Sequence, residues 1–327
     1  MNPKVRAFFR VAAVPGATAP YDRVSMKIYY PCTYGDTPEE RNSGVVPAAE
    51  DSAPYPVVIL LPGINLGPEG CAWLARQLAL AGAITVACTA IAEEMPGYIS
   101  ISPGLLFEQL SPGGFGRAPS CSLLQPVMDE LAAVQQASVL AGLLDLDRII
   151  LGGHSAGGTA ALLNANPEWF PGVCGVFSYA AHTGASVALG WPAETVLRLP
   201  ATLPTLLLAG DRDGVIAASA HRYGREGADP LHTVCRTFDE GVHDCGGRSY
   251  LMVLAGATHF TCADPHDGTT GREFLDWDSD ADQAELRGLM GQLIADFVAA
   301  TARADERAVS RLQDAQCDSR LALVKSR

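Results

Sequence analysis

Clustered lysine and arginine are absent from this 327-residue chain, in which 36 acidic residues against 23 basic ones leave a formal net charge of -13. Phosphate binding needs concentrated positive charge, so a nucleic-acid partner is excluded and an acidic, soluble surface is expected. No uninterrupted run of about 20 apolar residues occurs, which leaves no candidate for a membrane span. The stretch Met1–Val14 has a few basic residues and a short apolar run broken before Pro15, a poor secretory signal, so a cytoplasmic location is the simplest expectation. No C-x-x-C pair occurs among the nine cysteines (Cys32, Cys71, Cys88, Cys121, Cys174, Cys235, Cys245, Cys262, Cys317), which removes the zinc and dithiol-redox sites of that type. Most of these thiols are expected to be reduced and structural, with Cys88 and Cys174 as small buried residues. A disulfide between Cys245 and Cys262, which flank one expected strand, stays open. Internal repeats and low-complexity segments are also absent.

The residues that are present suit a large core. Hydrophobic residues make up 48% of the chain and charged residues 18%, enough apolar material to offset chain entropy in one domain spanning residues 1–327. Short β-branched runs alternate with helical patterns, so a mostly parallel sheet with helices on both faces is expected. The expected strands are Ser25–Tyr30, Pro56–Leu61, Ile84–Thr89, Arg148–Leu151, Cys174–Ala180, Thr205–Ala209 and Tyr250–Leu254. Helical spacing marks Cys71–Ala81, Val127–Leu143 and about Asp282–Arg303. Residues 91–125 carry three Pro-Gly breaks around Leu105, Leu106 and Phe107, and read as an irregular cap-like insertion over a pocket mouth. A plain surface insertion is the competing reading. The charged tail, residues 308–327, is expected to fray.

The strongest motif is Gly153-His154-Ser155-Ala156-Gly157-Gly158, placed between an expected strand and an expected helix. A strand-to-helix turn this sharp strains the serine backbone, and small residues two positions to either side let strand and helix cross closely. Ser155 is therefore a candidate nucleophile, and a serine hydroxyl needs a base. Among seven histidines, His259 lies just beyond the last expected strand, in Gly256-Ala257-Thr258-His259-Phe260. The third member must be a carboxylate that orients the imidazole. Asp213, in the loop after Thr205–Ala209, is preferred to Asp211, because the loop needs a few residues beyond the strand end to reach the histidine. Asp211 suits bonding to loop amides. Two preorganised N–H donors for an oxyanion are expected from Ala156 and Ile64, the latter just after Leu61-Pro62-Gly63.

The segments Leu61-Pro62-Gly63-Ile64, Gly153 to Gly158, Gly210 to Ile216 and Gly256 to Phe260, in that order along the chain, resemble the α/β-hydrolase branch that holds bacterial cutinase-like polyester hydrolases, platelet-activating-factor acetylhydrolases, chlorophyllases and dienelactone-hydrolase-like proteins. The resemblance spans roughly residues 25–300. It implies an α/β-hydrolase fold, carboxylic-ester hydrolysis through an acyl-enzyme, Ser155, Asp213 and His259 as catalytic triad, the Ile64 and Ala156 amides as oxyanion hole, and no cofactor. Polyester hydrolases of this branch carry an aromatic residue in the Ile64 position and a tryptophan where this chain has Ala180-Ala181-His182. They are also secreted, with a shorter connection in place of residues 91–125. A small or amphipathic ester is therefore expected rather than a polymer. Dienelactone hydrolases in the narrow sense use a cysteine nucleophile, which the serine here argues against.

Weaker signals complete the reading. His182, with Leu106 and Phe107, is a candidate for the substrate pocket, although a loop histidine is the plainer reading. Glu93 and Glu94 read first as a solvated acidic loop. Asp264, His266 and Asp267 lie close in sequence, but Pro265 and Gly268 mark a turn without the rigidity a metal site needs, so no metal is expected. Transfer of the acyl group to an alcohol, an amine or from a thioester, and a non-catalytic binding protein on the same scaffold, are the rival functions.

Overall fold

A computed structural model describes residues 4–327; the side chain of Glu94 also lies outside what it describes. Ten strands form one mixed sheet: β1 (Lys4–Ala13), β2 (Arg23–Cys32), β3 (Tyr55–Leu61), β4 (Ile84–Met95), β5 (Tyr98–Ser102), β6 (Leu144–His154), β7 (Val173–Tyr179), β8 (Thr205–Gly210), β9 (Tyr250–Leu254) and β10 (Leu321–Ser326). Their order is β1-β2-β4-β3-β6-β7-β8-β9-β10, with β5 paired to β4. From β4 to β9 every neighbouring pair is parallel, while β1, β2, β5 and β10 pair antiparallel. The helices are α1 (Pro38–Ser43), α2 (Ala72–Leu80), α3 (Leu124–Gln136), α4 (Ala156–Asn164), α5 (Gly214–Ala218), α6 (His232–Arg236), α7 (Gln283–Ala302) and α8 (Glu306–Asp314).

The central strands are hydrophobic on both faces, as a sheet covered on both sides requires. In β3, Val57, Ile59 and Leu61 join a core built with α3 and α4, whereas Val58 and Leu60 join a second core built with α2, α7 and α8. The period of two along the strand divides the side chains between these layers. Parallel pairing puts the carboxyl ends of β3, β6, β7, β8 and β9 on one edge, and the order β4-β3-β6 reverses direction there. Such a switch point leaves a crevice between diverging loops. No helix among the described residues is long and apolar enough to cross a membrane.

Two expectations change and one open alternative closes. Residues 308–327 are ordered: Asp305 caps α8 through the amides of Arg307 and Ala308, and Arg311 pairs with the buried Asp296. Beyond it, β10 pairs antiparallel with β9. The charges that suggested fraying occupy the outer face of an amphipathic helix whose Ala308 and Leu312 are buried. The second correction concerns 91–125, which opens as a β4–β5 hairpin and continues as a tied loop rather than an irregular run. Leu106 N–H donates to Ser120 O and Ser122 N–H to Gly104 O. That ladder turns Leu105 inward, beside Leu110, Leu163 and Trp191, and leaves Leu106 and Phe107 41% and 59% exposed. Third, Cys245 and Cys262 do not pair, since all nine cysteines are free thiols. They lie beyond opposite ends of β9, a five-residue strand about 17 Å long. Cys262 instead interacts with Cys71, and burial pushes its thiol well above the ordinary range.

Removing β10 by truncation after Cys317 should unpair one edge of β9 and strip cover from Leu254 and Val253. The expected result is a melting temperature lower by on the order of 5 °C and a greater tendency to aggregate, read by thermal denaturation and light scattering. An unchanged transition would mean that the strand adds no stability.

Candidate functional site

At the carboxyl end of β6 the backbone turns into α4 within one residue. Ser155 takes φ 53° and ψ -125°, a left-handed conformation that costs a non-glycine residue about 1–3 kcal/mol. Its N–H donates to Tyr179 O at 3.0 Å and its carbonyl accepts from Thr159 N–H at 3.0 Å, so both sides of the turn are fixed. Glycine is required on each flank. A Cβ on Gly153 would strike the backbone of Gly157, and one on Gly157 would strike the carbonyl oxygens of Leu61 and Pro62. The 62–64 turn is thereby held against the start of α4.

The loops after β8 and β9 bring two more side chains to Ser155. His259 Nδ1 lies 2.8 Å from Asp213 Oδ2, and its Nε2 lies 3.0 Å from Ser155 Oγ. A carboxylate only accepts, so Nδ1 carries the proton and the bare Nε2 accepts from the serine hydroxyl. Both partners are 2% exposed. The second oxygen of Asp213 caps α5 by accepting from Ile216 N–H at 2.8 Å, which fixes the carboxylate plane. Asp211 instead accepts from Gly256 N–H at 2.7 Å. The structure thus places Asp213, not its rival, on the histidine.

Two further histidines flank His259. His154 Nε2–H donates to the carbonyl oxygen of His259 at 3.0 Å, and the two rings lie 4.7 Å apart. Its Nδ1 is buried without a partner among the described residues, over Gly63, where a Cβ would come within 2.6 Å of it. Burial, and secondarily His259, hold this imidazole well below the usual histidine range, so it stays neutral. His182 accepts from Gly184 N–H at its Nδ1 and stands edge-on to Tyr223 with centroids 4.5 Å apart. Burial pushes it down to about 4, with Asp213 opposing the shift and His259 adding to it. It is therefore a neutral ring within electrostatic reach of both. Tyr179, unmarked in the sequence, donates its hydroxyl hydrogen to Thr258 O beside His259.

Other candidates stand apart. Glu93 accepts from Gly97 N–H and Tyr21 in the β4–β5 hairpin. Asp264 pairs with Arg287, His266 with Glu273, and Asp267 bonds Thr269. No group of three such side chains that could hold a metal occurs among the described residues. Ile64 is 44% exposed at the turn after β3, and no hydrogen bond uses its N–H or that of Ala156 among the described residues.

The buried neutral histidines predict acid sensitivity. In the unfolded chain His182 titrates near 6.5, whereas the folded protein binds that proton only near 4. Its contribution is complete above pH 6.5 and is lost as pH falls towards 4, by roughly 3 kcal/mol, with His154 acting in the same direction. Denaturant titrations across this window should show the decline, and His182→Gln should flatten it. A stability independent of pH between 6.5 and 4 would contradict it.

No protein-family model matches the chain and no curated protein matches its sequence, so the functional reading rests on this geometry.

Proposed function

We propose that this protein is a serine hydrolase with an α/β-hydrolase fold that cleaves a carboxylic ester of a small or amphipathic substrate. The observation that carries the reading is the continuous relay from Asp213 through His259 to Ser155, with links of 2.8 and 3.0 Å. A free serine hydroxyl is a poor nucleophile at neutral pH, and a neutral imidazole aimed at it is the group able to take its proton. In the first step Ser155 Oγ attacks the ester carbonyl carbon as His259 Nε2 accepts the hydroxyl proton. Asp213 then stabilises the imidazolium without taking a proton itself. Collapse of the tetrahedral intermediate breaks the carbonyl–alkoxy bond, and the alcohol leaves with the proton from His259. In the second step the same nitrogen deprotonates a water whose oxygen attacks the acyl carbon; the bond from that carbon to Ser155 Oγ then breaks, Oγ takes back the proton from His259 and the acid is released.

The negative oxygen of each tetrahedral intermediate needs donors already in place. The first amide of α4, on Ala156, is an orphan donor of a helix N-terminus, and the dipole of that helix favours negative charge there. The Ile64 amide is the proposed second donor. The glycine contacts that hold the 62–64 turn against α4 support this pairing.

Ser155→Ala should lower turnover of p-nitrophenyl esters by ~10^6-fold and abolish labelling by a fluorophosphonate. Asp213→Asn should cost on the order of 10^4 in turnover by stabilising the wrong imidazole tautomer, while Asp211→Asn should act mainly on melting temperature. A folded Ser155→Ala variant that kept more than a small fraction of wild-type activity would refute the assignment. A panel graded by acyl length, run with and without added alcohol or amine, defines the acyl group and the acceptor.

A further inference from the structure

The loop between β9 and α7 carries a carboxylate that no motif marks. Asp276 Oδ1 accepts from Gly214 N–H at 3.0 Å, from His259 N–H at 3.1 Å and from its neighbour Trp277 N–H at 3.2 Å, and Oδ2 accepts from Phe260 N–H at 3.3 Å. Gly214 directly follows Asp213, and Phe260 directly follows His259. One side chain therefore joins the backbone of the acid loop to the backbone of the base loop. No ion pair involves Asp276 among the described residues, and its hydrogen-bond partners there are main-chain amides. The fit is close: a Cβ on Gly214 would strike Leu275 O and come within 2.6 Å of Trp277 Cδ1.

We infer that Asp276 is a positioning residue, whose carboxylate sets the distance between Asp213 and His259 by clamping the main chain beside each of them. The inference rests on the hydrolase reading above. β8 and β9 pair in parallel only as far as Gly210 and Leu254, so the ladder does not reach Asp213 or His259. The side chains of both are long enough to drift relative to one another unless the loops that bear them are tied. Bonds from His154 to the His259 carbonyl and from Tyr179 to Thr258 O come from the nucleophile side of the sheet, while Arg212 N–H to Ala257 O and Gly256 N–H to Asp211 Oδ1 tie the two loops nearer the strand ends, two or more residues before His259. Asp276 ties the loops where the two side chains leave the main chain, at Gly214 next to Asp213 and at His259 and Phe260. A displacement of about 1 Å in such a relay costs on the order of 10^2 in rate, a large return from four hydrogen bonds.

The test uses Asp276→Ala and Asp276→Asn in the full chain. Alanine removes every acceptor, whereas asparagine keeps Oδ1, the atom that receives Gly214 and His259. Three readouts are taken: kcat and KM on an ester, the rate of fluorophosphonate labelling, and the far-downfield proton resonance of an imidazole Nδ1–H held by a carboxylate. Asp276→Ala should lower kcat and the labelling rate by about 10- to 100-fold with KM little changed, and should broaden or abolish the resonance. Asp276→Asn should recover most of the rate and the resonance. If the alanine variant does not fold, the asparagine variant decides: full loss of rate and resonance in a folded Asp276→Asn overturns the inference, because its Oδ1 bonds remain possible. A folded Asp276→Ala with wild-type kcat, labelling and resonance also overturns it. Failure of the wild-type protein to label is a different result, which removes the hydrolase reading and this inference with it.

Discussion

A single steric contact underlies the site: Gly157 lies directly against the carbonyls of Leu61 and Pro62 where β6 turns into α4. That contact lets the helix start immediately after Ser155, and the positive φ of Ser155 is what aims Oγ out of the sheet. The same closeness pins the turn after β3 beside the first amides of the helix. A left-handed serine is unstable alone, and it persists because the parallel strands on either side leave the chain no other path. The buried layers above and below the sheet hold those strands in place.

Charge is organised with similar economy. Three histidines gather around the carboxyl ends of the strands, yet burial keeps His154 and His182 neutral. A second imidazolium beside His259 would oppose the positive charge that His259 would carry in the proposed proton transfer. Neutral neighbours avoid that repulsion and still contribute as hydrogen-bond partners, His154 to the backbone of the base and His182 to its own loop. Asp213 is held by one main-chain amide and the imidazole of His259, and Asp276 by four main-chain amides, so each carboxylate is fixed in orientation as well as position.

Legibility in the sequence followed burial. The strands β3, β4, β6, β7, β8 and β9 have apolar runs because both faces are covered, and each was marked near its observed position. The edge strands β1 and β10 were not, since one face of each meets solvent and their alternating polar residues look like loop or tail. The helix read over Val127–Leu143 ends at Gln136, because Ser138 and Gly142 close a turn that feeds β6. Strand β4 runs on to Met95 for a related reason, as its hairpin partner β5 supplies hydrogen bonds that no local pattern announces.

The sequence by itself determined the mixed α/β layering, the elbow around Ser155 and the chain order of Ser155, Asp213 and His259, because each depends on residue type at short spacing: glycines for a close crossing, apolar runs for covered strands. Only the tertiary structure decided which of Asp211 and Asp213 meets His259, which of Leu105, Leu106 and Phe107 is buried, and that Asp276 and Tyr179 bond the backbone around His259. Those outcomes depend on where separate loops arrive in space. Hydrogen bonds such as Asp276 to Gly214, 62 residues apart, leave no periodicity in the chain to be read.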